Sequence, residues 1–532
     1  MNQEELYKIL KDKSIYGPDI DSIKVLQTHI SFVVLTGEFA YKIKKAVDFG
    51  FLNFSTLEKR KYFCEEELRL NKRLCKDIYL EVLPITEKNG KIRINGQGKV
   101  IDYTLKMKEF PQDKIMSKLI KEDKVDENII DRIVDILIDF YKKSKRNDEI
   151  DNFGNLDIIK NNTDENFQQT QEFIDLTIPK KYFDFIKDST NKFLREKNKL
   201  FKNRVKDGYI RDCHGDLHSG NIVVDENKIY IFDCIEFNKR FRYSDLASDL
   251  AFLSMDLDYL GHPYLSSYLI NKYVEKSKDT EIYKIINFYK SYRAYVRGKV
   301  IGFKLNDPNI NKKEKNDIIN TAKRYFELSY YYSLLFSKDI EKDSKRILFI
   351  TTGLTGTGKT TVAKKLSIDY NAEIVSTDSV RKEIEGMDRF ERHYDAYNTG
   401  LYSPEKMRYA YDKVLEKGNF YLKKNRNVVL DATFKNNELR KKAYEITKNS
   451  NSKFIIIYCN VPEEIVKKYL NNRLNKKTVS DGRWEIYEKQ KHSFEKIKDD
   501  FKFVDIDISK KDFDYQIKKF FEINNKICEV KT

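Results

Sequence analysis

The sequence predicts a chain of mixed α/β and α+β class that folds into two domains. At 532 residues the chain is longer than the roughly 250–300 residues at which single cores stop growing. A β-rich beginning is followed by long stretches of helical spacing, which predicts a first domain with a small lobe and a helical lobe. From residue 347 strands alternate with helices, which is typical of a doubly wound parallel sheet.

The composition suits a folded, soluble protein with a basic surface. Hydrophobic residues make up 40% of the chain, enough to bury real cores, and the net charge is +16. A basic surface suits ATP, phosphorylated substrates or nucleic acid. Lysine and glutamate are interspersed through most predicted helices, however, so a solvated, lysine-rich surface is the simpler explanation of the charge.

Cysteine usage and hydropathy exclude several classes of protein. The six cysteines are scattered and form no C-x-x-C pair, which argues against a zinc site and against a disulfide framework. The first residues lack the order of a signal peptide, and no apolar run approaches the roughly 18 residues that span a bilayer. We therefore expect a cytoplasmic protein without membrane partners.

The first lobe contains a predicted β-hairpin that presents a lysine. Residues 29–35 and 39–44 are β-rich runs separated by three residues. Lys42 shares a face with Ala40, on the side expected to face a cleft, where its ammonium could reach the α- and β-phosphates of ATP. Lys44 lies on the same face, and a solvated strand lysine is the simpler alternative. Lys42 is the predicted nucleotide contact.

A predicted helix after the hairpin carries candidate partners for this lysine. The helix begins near Ser55 with a capping residue and continues as an apolar stripe. Glu65, Glu66 and Glu67 are consecutive on it, and periodicity alone does not choose among them. Glu66 is the predicted partner.

The stretch from residue 214 to 221, His-Gly-Asp-Leu-His-Ser-Gly-Asn, has the spacing of a phosphoryl-transfer site. Asp216 is placed to accept the proton of an attacking hydroxyl, and Asn221 to hold Mg²⁺. The following strand delivers Asp233, a second carboxylate suited to the metal that bridges ATP phosphates. A simple turn is the alternative, but turn chemistry does not predict the strand and the second carboxylate.

Other residues near this stretch have weaker claims to a role in catalysis. Asp245 and Asp249 lie at the beginning of a later helix. Each could either cap this helix or take a direct part in catalysis, and the sequence leaves both roles open. Cys213 beside His214 could suggest a nucleophile pair, but adjacent side chains on a turn usually diverge. His218 is interpreted as a hydrogen-bonded structural residue.

The His-Gly-Asp-x-x-x-x-Asn pattern resembles the aminoglycoside and choline phosphotransferases, a kinase-like family in which Gly stands where protein kinases have Arg. The missing G-x-G-x-x-G loop favours the same family. Residues 28–31 and 50–71 resemble a bacterial group in which this domain is often fused to a P-loop kinase. The resemblance implies a two-lobed protein-kinase-like fold over residues 1–337, divided near residues 110 and 111, with ATP and Mg²⁺ as cofactors.

A second nucleotide site follows the polar segment 338–345, which is the predicted linker to a domain over 346–532. A buried-type strand runs into Gly-Leu-Thr-Gly-Thr-Gly-Lys-Thr at 353–360, a Walker A P-loop in its strand–loop–helix context. Lys359 is predicted to reach the β- and γ-phosphates, and Thr360 to ligate Mg²⁺. The other predicted nucleotide contacts are Gly353, Gly356, Gly358 and Thr361.

A third strand of this domain ends in Asp431, which suits the Mg²⁺ water shell as a Walker B carboxylate. No Glu follows it, although motor ATPases usually keep one there to activate water. Transfer to a hydroxyl is therefore favoured over hydrolysis.

The P-loop domain also resembles polynucleotide kinases and zeta-toxin-like kinases. The resemblance implies that Asp378 is the general base and Arg381 a ligand of the acceptor's phosphate, with an N-cap Asp and a solvated Arg as the alternative. An arginine-bearing lid is implied near residues 464–483. Arg473 is the first candidate to stabilise the transferring phosphoryl group, and Arg483 is the second.

These features together predict an ATP- and Mg²⁺-dependent phosphotransferase with two nucleotide sites, acting on a hydroxyl of a small or nucleotide-like molecule. Two alternatives stay open. The second domain could phosphorylate nucleic-acid ends, or one domain could bind nucleotide only as a sensor. The acceptor, the coupling of the two sites and the oligomeric state do not follow from the sequence.

Overall fold

The structure is a computed structural model that describes residues 3–17, 20–226, 228–307, 310–338, 346–370, 372–387, 399–424, 426–473, 482–497, 501 and 503–509. For residues 3, 4, 338, 368, 369, 401, 472 and 473 it describes the backbone alone. The chain divides into two compact units, Met1–Ile340 and Glu341–Thr532. The division falls inside the predicted linker, whose residues 339–345 lie outside the described part of the chain.

The first lobe of the first unit is a six-stranded antiparallel sheet with two helices. Its elements are α1 (Gln3–Ile9), β1 (Lys24–Gln27), β2 (Ser31–Leu35), β3 (Phe39–Lys44), α2 (Leu57–Asn71), β4 (Tyr79–Lys88), β5 (Lys91–Ile94) and β6 (Lys99–Lys108). The strand order is β1-β2-β3-β6-β4-β5. The predicted hairpin is present as β2 and β3, with Val33 opposite Lys42. Because β3 is an inner strand, its side chains are held between neighbours on both sides.

The second lobe is helical, as predicted. Its elements are α3 (Met116–Lys121), α4 (Glu127–Lys143), α5 (Asp148–Asn152), α6 (Leu156–Gln169), α7 (Lys180–Glu196), α8 (Asn198–Lys206), β7 (Ile210–Asp212), β8 (Ile222–Val224), β9 (Ile229–Ile231), α9 (Lys239–Arg242), β10 (Tyr243–Asp245), α10 (Leu246–Tyr259), α11 (Pro263–Ser277), α12 (Ile286–Gly302) and α13 (Lys312–Lys338). Strands β7 and β10 pair, as do β8 and β9. Helix α10 is buried over its first twelve residues, so it forms the centre of the lobe.

A buried ionic cluster fixes the beginning of α10. Asp245 caps this helix by accepting the Ala247 amide, at 2.8 Å. Arg204 of α8 donates to both Asp245 oxygens and, at 2.9 Å, to both Asp279 oxygens. All three side chains are at most 1% exposed. The guanidinium therefore joins α8, α10 and the end of α11 without help from solvent.

The second unit is a five-stranded, fully parallel sheet with helices on both faces. Its elements are β11 (Ile347–Thr352), α14 (Lys359–Tyr370), β12 (Ala372–Ser376), α15 (Thr377–Ile384), α16 (Pro404–Lys423), β13 (Asn427–Asp431), α17 (Asn437–Asn449), β14 (Lys453–Cys459), α18 (Glu463–Arg473), α19 (Trp484–Ser493) and β15 (Phe503–Ile506). The order β12-β13-β11-β14-β15 places the P-loop strand at the centre. Separate apolar cores cover the two faces, which confirms the doubly wound prediction.

The described residues also bear on the expectations about membranes and cysteines. None of the helices that the structure describes is long and apolar enough to cross a bilayer. Five cysteines lie in described positions, and each of them is buried with a free thiol. Cys528 lies outside the described residues.

Replacing Arg204 by alanine is predicted to destabilise the first unit. It would leave two buried carboxylates unpaired, and breaking such a cluster typically costs about 3–5 kcal/mol of unfolding free energy. Urea unfolding followed by circular dichroism should show the loss. The only tryptophan, Trp484, belongs to the second unit, so its fluorescence transition should not move.

The matched control is Arg195→Ala. Arg195 is 71% exposed and pairs with Glu196 at the surface of α7, so its loss should change stability by less than about 0.5 kcal/mol. Equal effects of the two substitutions would contradict a structural role for the buried cluster.

Candidate active sites

The first site is built on two lysines that β3 directs to the same face. Lys42 Nζ donates to Glu67 Oε1 and to Asp233 Oδ1, each at 2.7 Å. Lys44 Nζ donates to Glu67 Oε2 at 2.6 Å and also to Glu236. Glu67 therefore holds both lysines with its two oxygens. We name these five side chains the lysine–carboxylate network.

The partner of Lys42 is Glu67, which corrects the prediction of Glu66. Glu66 instead binds Arg69, with contacts of 2.6 and 2.7 Å. Successive residues of an α-helix are about 100° apart around its axis, so neighbouring glutamates cannot share one face. Glu67 is fully buried against the sheet, whereas the Arg69 side chain bound to Glu66 is 58% exposed.

Electrostatics favour the charged forms of Lys42 and Glu67 in this network. Burial opposes the charge on Lys42, but Asp233 and then Glu67 outweigh it, and the pKa of Lys42 is raised. Burial likewise opposes the charge on Glu67, but the two lysines outweigh it and lower the pKa of its carboxyl. Lys42 and Glu67 are therefore ionised at neutral pH. Burial raises the pKa of Glu236, although Lys44 opposes the shift. Lys42 is held between a buried carboxylate and a half-exposed one.

The loop that carries Asp216 is held by two carboxylates of α10. Asp249 accepts the backbone amides of His214 at 3.0 Å and Gly215 at 2.9 Å. Asp256, seven residues later on the same helix, accepts the Ser219 amide at 2.9 Å and the Ser219 hydroxyl. Both aspartates are buried. Asp249 is thus an anchor of the loop, and Asp245 is a helix cap.

Asp216 stands at the open edge of this loop. Its side chain is 32% exposed, and its Oδ2 accepts from Asn221 Nδ2 at 3.1 Å and lies 3.5 Å from His218 Nε2. Partial burial favours the neutral acid, but His218 and then Arg297 outweigh it and lower the pKa of Asp216. The carboxylate is therefore ionised and reachable, as a proton acceptor must be.

Gly215 explains the departure from the protein-kinase pattern. Its φ is +86°, in the left-handed region. A Cβ at this position would lie 2.9 Å from the carbonyl oxygen of Phe241. An arginine would be strained and would clash there, so this loop conformation requires glycine.

Asp233 follows β9 and lies close to Asn221 through the backbone. The Phe232 amide donates to the Asn221 carbonyl oxygen at 3.0 Å. Asp233 has φ +63°, uncommon for a residue other than glycine, and its amide donates to the Tyr79 hydroxyl at 3.2 Å. Its carboxylate is 43% exposed. A carboxylate and a carboxamide oxygen are hard ligands, so this donor set fits Mg²⁺.

Two cysteines flank the site, and neither is a nucleophile. Cys213 precedes His214 and Cys234 follows Asp233, and both are buried. Burial raises the pKa of both thiols, that of Cys234 to about 12. Each thiol lies within 3.4 Å of a backbone carbonyl oxygen, Ser244 for Cys213 and His214 for Cys234. They stay protonated, so the nucleophile pair is excluded.

The second site is a cavity of about 410 Å³ over the P-loop. It brings together most of the residues that the sequence predicts there: Gly356, Gly358, Lys359, Thr360, Thr361, Asp378, Arg381 and Asp431. Gly356 and Gly358 have φ values of +79° and +82°, which side chains rarely adopt. Gly353 lies at the end of β11, outside the cavity lining. The strand–loop–helix arrangement is the predicted one.

Thr360 and Asp431 meet at the carboxyl ends of β11 and β13. Thr360 Oγ1 donates to Asp431 Oδ2 at 2.8 Å, and Thr351 Oγ1 donates to Asp431 Oδ1 at 3.2 Å. Burial raises the pKa of Asp431, although Thr360 and Lys359 oppose the shift. A hydroxyl beside a carboxylate is a donor set that fits Mg²⁺.

Asp378 and Arg381 lie on α15 at the same cavity. The strand ends at Ser376, so Asp378 occupies the first helical turn rather than the strand end. Arg381 Nη2 donates to Asp378 Oδ1 at 3.2 Å and to the Tyr402 hydroxyl at 3.1 Å. Arg381 is only 2% exposed, so it is not the solvated arginine of the alternative interpretation.

The predicted lid is described only in part. Arg473 ends α18, but its side chain lies outside the described residues. Arg483 is the residue before α19, and its neighbour Gly482 lines the cavity. The roles of both arginines stay predictions.

Several residues of the sites were not predicted. They are Glu236, Asp256, Arg293, Thr351 and Tyr402. One signal was available for Asp256, since a spacing of seven from Asp249 places both on one helix face. The others depend on contacts between distant segments.

Comparisons with known proteins agree with this arrangement. Residues 114–271 match the model of the phosphotransferase enzyme family, and residues 348–497 match that of an AAA domain. Uncharacterized proteins of Mycobacterium tuberculosis and Mycobacterium bovis are 27% identical over 444 residues, which is 84% of this chain and 85% of theirs.

Two solved structures are similar to part of this chain, at low sequence identity. A choline/ethanolamine kinase family protein from Mesorhizobium loti is 13% identical, covering 64% of this chain and 100% of its own, with a TM-score of 0.37. An APS kinase from Mycobacterium tuberculosis, in complex with AMPPNP and APS, is 15% identical over 34% of this chain and 98% of its own, with a TM-score of 0.25.

The family matches fall on the segments that build the two sites. The first includes Asp216, Asn221 and Asp233, and the second includes the P-loop and Asp431. The chain is therefore an enzyme of the phosphotransferase class, with a domain of the phosphotransferase enzyme family followed by a P-loop domain of AAA type.

Proposed function

We propose that this chain is an ATP- and Mg²⁺-dependent phosphotransferase with two nucleotide sites, each transferring a γ-phosphate to a hydroxyl group. The observation that carries the proposal is Lys42, whose ammonium bridges Glu67 and Asp233. The bridge puts a phosphate-binding cation next to a metal-binding carboxylate. Asp216, a reachable base, is joined to the same place through Asn221.

In the first unit each charged group has a separate task. Glu67 is fully buried and keeps Lys42 in place, while Asp233 is half exposed and is available to a bound cation. Lys42 binds the α- and β-phosphates, and Asn221 and Asp233 hold Mg²⁺. Bound Mg²⁺ supplies positive charge that balances the charge on the phosphates. Asp216 accepts the proton of the acceptor hydroxyl.

In the second unit the P-loop amides and Lys359 bind the phosphates, and Thr360 with Asp431 holds Mg²⁺. Asp378 is the proposed base. Arg381 beside it binds an anionic group of the acceptor, and Arg473 is proposed to stabilise the transferring phosphoryl group. Charge on the acceptor is supported by further cations that line the cavity: Arg408, Lys435 and Lys442.

The acceptor of the second unit is proposed to be a small phosphorylated alcohol. Nucleic-acid ends are the second candidate, because the same cations would also bind a phosphate backbone. A steep loss of affinity with increasing salt would favour nucleic acid, since each neutralised phosphate releases counterions.

Substitutions in the two units are predicted to abolish different products. With γ-labelled ATP, Mg²⁺ and a metabolite extract or a pool of RNA and DNA ends, Asp216→Asn should lower one transfer about 100- to 10,000-fold by removing the base. Lys359→Ala should remove the other by weakening phosphate binding. The labelled products are separated and counted.

The controls for this experiment are surface residues of the same units: Glu226→Gln at an exposed position, and Lys413→Ala at a side chain that is 39% exposed and pairs with Glu416. Both should leave both products unchanged. If Asp216→Asn leaves every product in place while Lys359→Ala removes all transfer, the first unit binds nucleotide without catalysis and the proposal fails for it.

Adjacent glutamates of α2 offer a matched pair for the first centre. Glu67→Gln should lower kcat/KM for ATP at this centre about 10- to 100-fold, because a neutral amide cannot balance two buried lysines. Glu66→Gln keeps a hydrogen-bonding side chain beside Arg69 and should change kcat/KM less than about twofold. Steady-state kinetics with ATP varied measures both.

Far-UV circular dichroism of each variant confirms that it is folded before its kinetics are compared. A larger loss for Glu66→Gln than for Glu67→Gln would contradict the assignment of Glu67 as the partner of the nucleotide-binding lysine.

A further inference from the structure

Helix α12 is fastened to the loop that carries the base of the first unit. Arg293 Nη1 donates to the carbonyl oxygen of Gly215 at 3.0 Å, and its Nε donates to Ser248 of α10. Arg293 is buried and also lies over the ring of Phe252, at 5.0 Å. One helical turn later on the same face comes Arg297. The residue bonded to Arg293 immediately precedes Asp216.

Arg297 is half-buried in an aromatic setting on that face. Its guanidinium carbon lies 5.7 Å from the ring centre of Tyr325, and Tyr325 stacks on Tyr259 with ring centres 3.9 Å apart. Among the described residues no carboxylate oxygen lies within 4.0 Å of its guanidinium. Arg297 also contributes to lowering the pKa of Asp216.

Buried arginines elsewhere in this unit are engaged differently. Arg204 and Arg242 each donate to an aspartate at hydrogen-bond distance. The acids that face Arg297 already have other partners: Asp256 accepts from Ser219, and Asp216 accepts from Asn221. Arg297 is thus a partly desolvated cation, one helical turn from the arginine that binds the loop of the base, without a bound counter-charge among the described residues.

We propose that the acceptor of the first unit carries an oxyanion, a phosphate or a carboxylate, and that Arg297 binds this group and so directs the hydroxyl to Asp216. The proposal rests on the proposed function of Asp216 as the base. The planar guanidinium matches both oxyanions in two-point hydrogen bonding, and partial desolvation strengthens the interaction.

An anion-binding role differs in its kinetics from a role in holding Asp216 charged. Loss of an acceptor contact raises the acceptor concentration needed for half-maximal rate. Loss of support for the base lowers kcat and leaves that concentration unchanged.

The first test uses the full chain with Lys359→Ala, so that labelled transfer reports the first centre. A metabolite extract is divided on an anion-exchange resin, and the retained and unretained fractions are offered with γ-labelled ATP. We expect Asp216-dependent product from the retained fraction. Arg297→Gln should raise the half-saturating amount about 10- to 100-fold while KM for ATP changes less than twofold, and Arg297→Lys should recover part of the loss.

The matched control is Arg324→Gln. Arg324 is exposed, lies 4.4 Å from the Tyr259 ring and donates to the Tyr259 carbonyl oxygen, so it shares the aromatic setting but not the position beside the base. It should change neither constant. Product from the unretained fraction alone, or a fall in kcat at unchanged half-saturation for Arg297→Gln, would overturn the proposal.

The second test does not depend on turnover. Phenylglyoxal modifies arginines, and mass spectrometry of peptides measures the rate at Arg297 and Arg324 separately. Inorganic phosphate or acetate should slow modification of Arg297 several-fold and leave Arg324 unaffected, with glycerol as the neutral control. The more protective anion indicates whether the acceptor carries a phosphate or a carboxylate.

The two tests separate failure of the inference from failure of the proposed function. Protection of Arg297 by neither anion overturns the oxyanion site. Protection without any Asp216-dependent product leaves the oxyanion site standing and overturns the role of Asp216 as a catalytic base.

Discussion

The buried lysine–carboxylate network is the constraint on which the first unit depends. Two ammonium groups and the carboxylates of Glu67 and Glu236 leave water together, while Asp233 stays half exposed. Each buried charge is tolerable only because its partners are in place. The partners come from β3, α2 and the segment after β9. Those three parts therefore cannot move independently without exposing an unpaired charge, and the same contacts that stabilise the lobe position Lys42, the proposed phosphate ligand.

A second set of contacts fixes the backbone of the loop that carries Asp216, as the lysine–carboxylate network fixes the charged side chains. Loop amides are difficult to bury because each must be hydrogen-bonded. Asp249 and Asp256 solve this problem at both ends of the loop by accepting three amides in all. Helix α10 can present them because its first twelve residues are buried and the others among these are mostly apolar. Its fixed beginning, at the Arg204 cluster, sets their position along the loop.

How much of each site could be predicted from the sequence depended on how far apart its residues lie along the chain. The P-loop, the strand after it and the His-Gly-Asp stretch are each a continuous segment of the sequence, so the chemistry of each follows from its local spacing. Predicting the partner of Lys42 required knowledge of which face of α2 packs against the sheet. The structure shows that face: Cys64 is buried on that helix, and Glu67, three residues on, is buried on the same face, whereas Glu66 is not among its buried residues. Glu236 and Arg297 gave no local signal, because their importance depends on residues far away in the chain.

The reactivity of Cys213 and Cys234 with thiol reagents can report local unfolding of the first site. Both thiols are adjacent to the segments that carry the proposed base and metal ligand, and burial keeps them protonated and out of reach of reagents. A thiol reagent can therefore react with them only during excursions in which this region locally unfolds. When the region closes faster than the reagent reacts, the labelling rate divided by the labelling rate of a free thiol gives the equilibrium constant of local unfolding. The free energy of local unfolding follows from that constant. Bound nucleotide or acceptor would lower this rate in proportion to its affinity for the closed form, without any engineered probe.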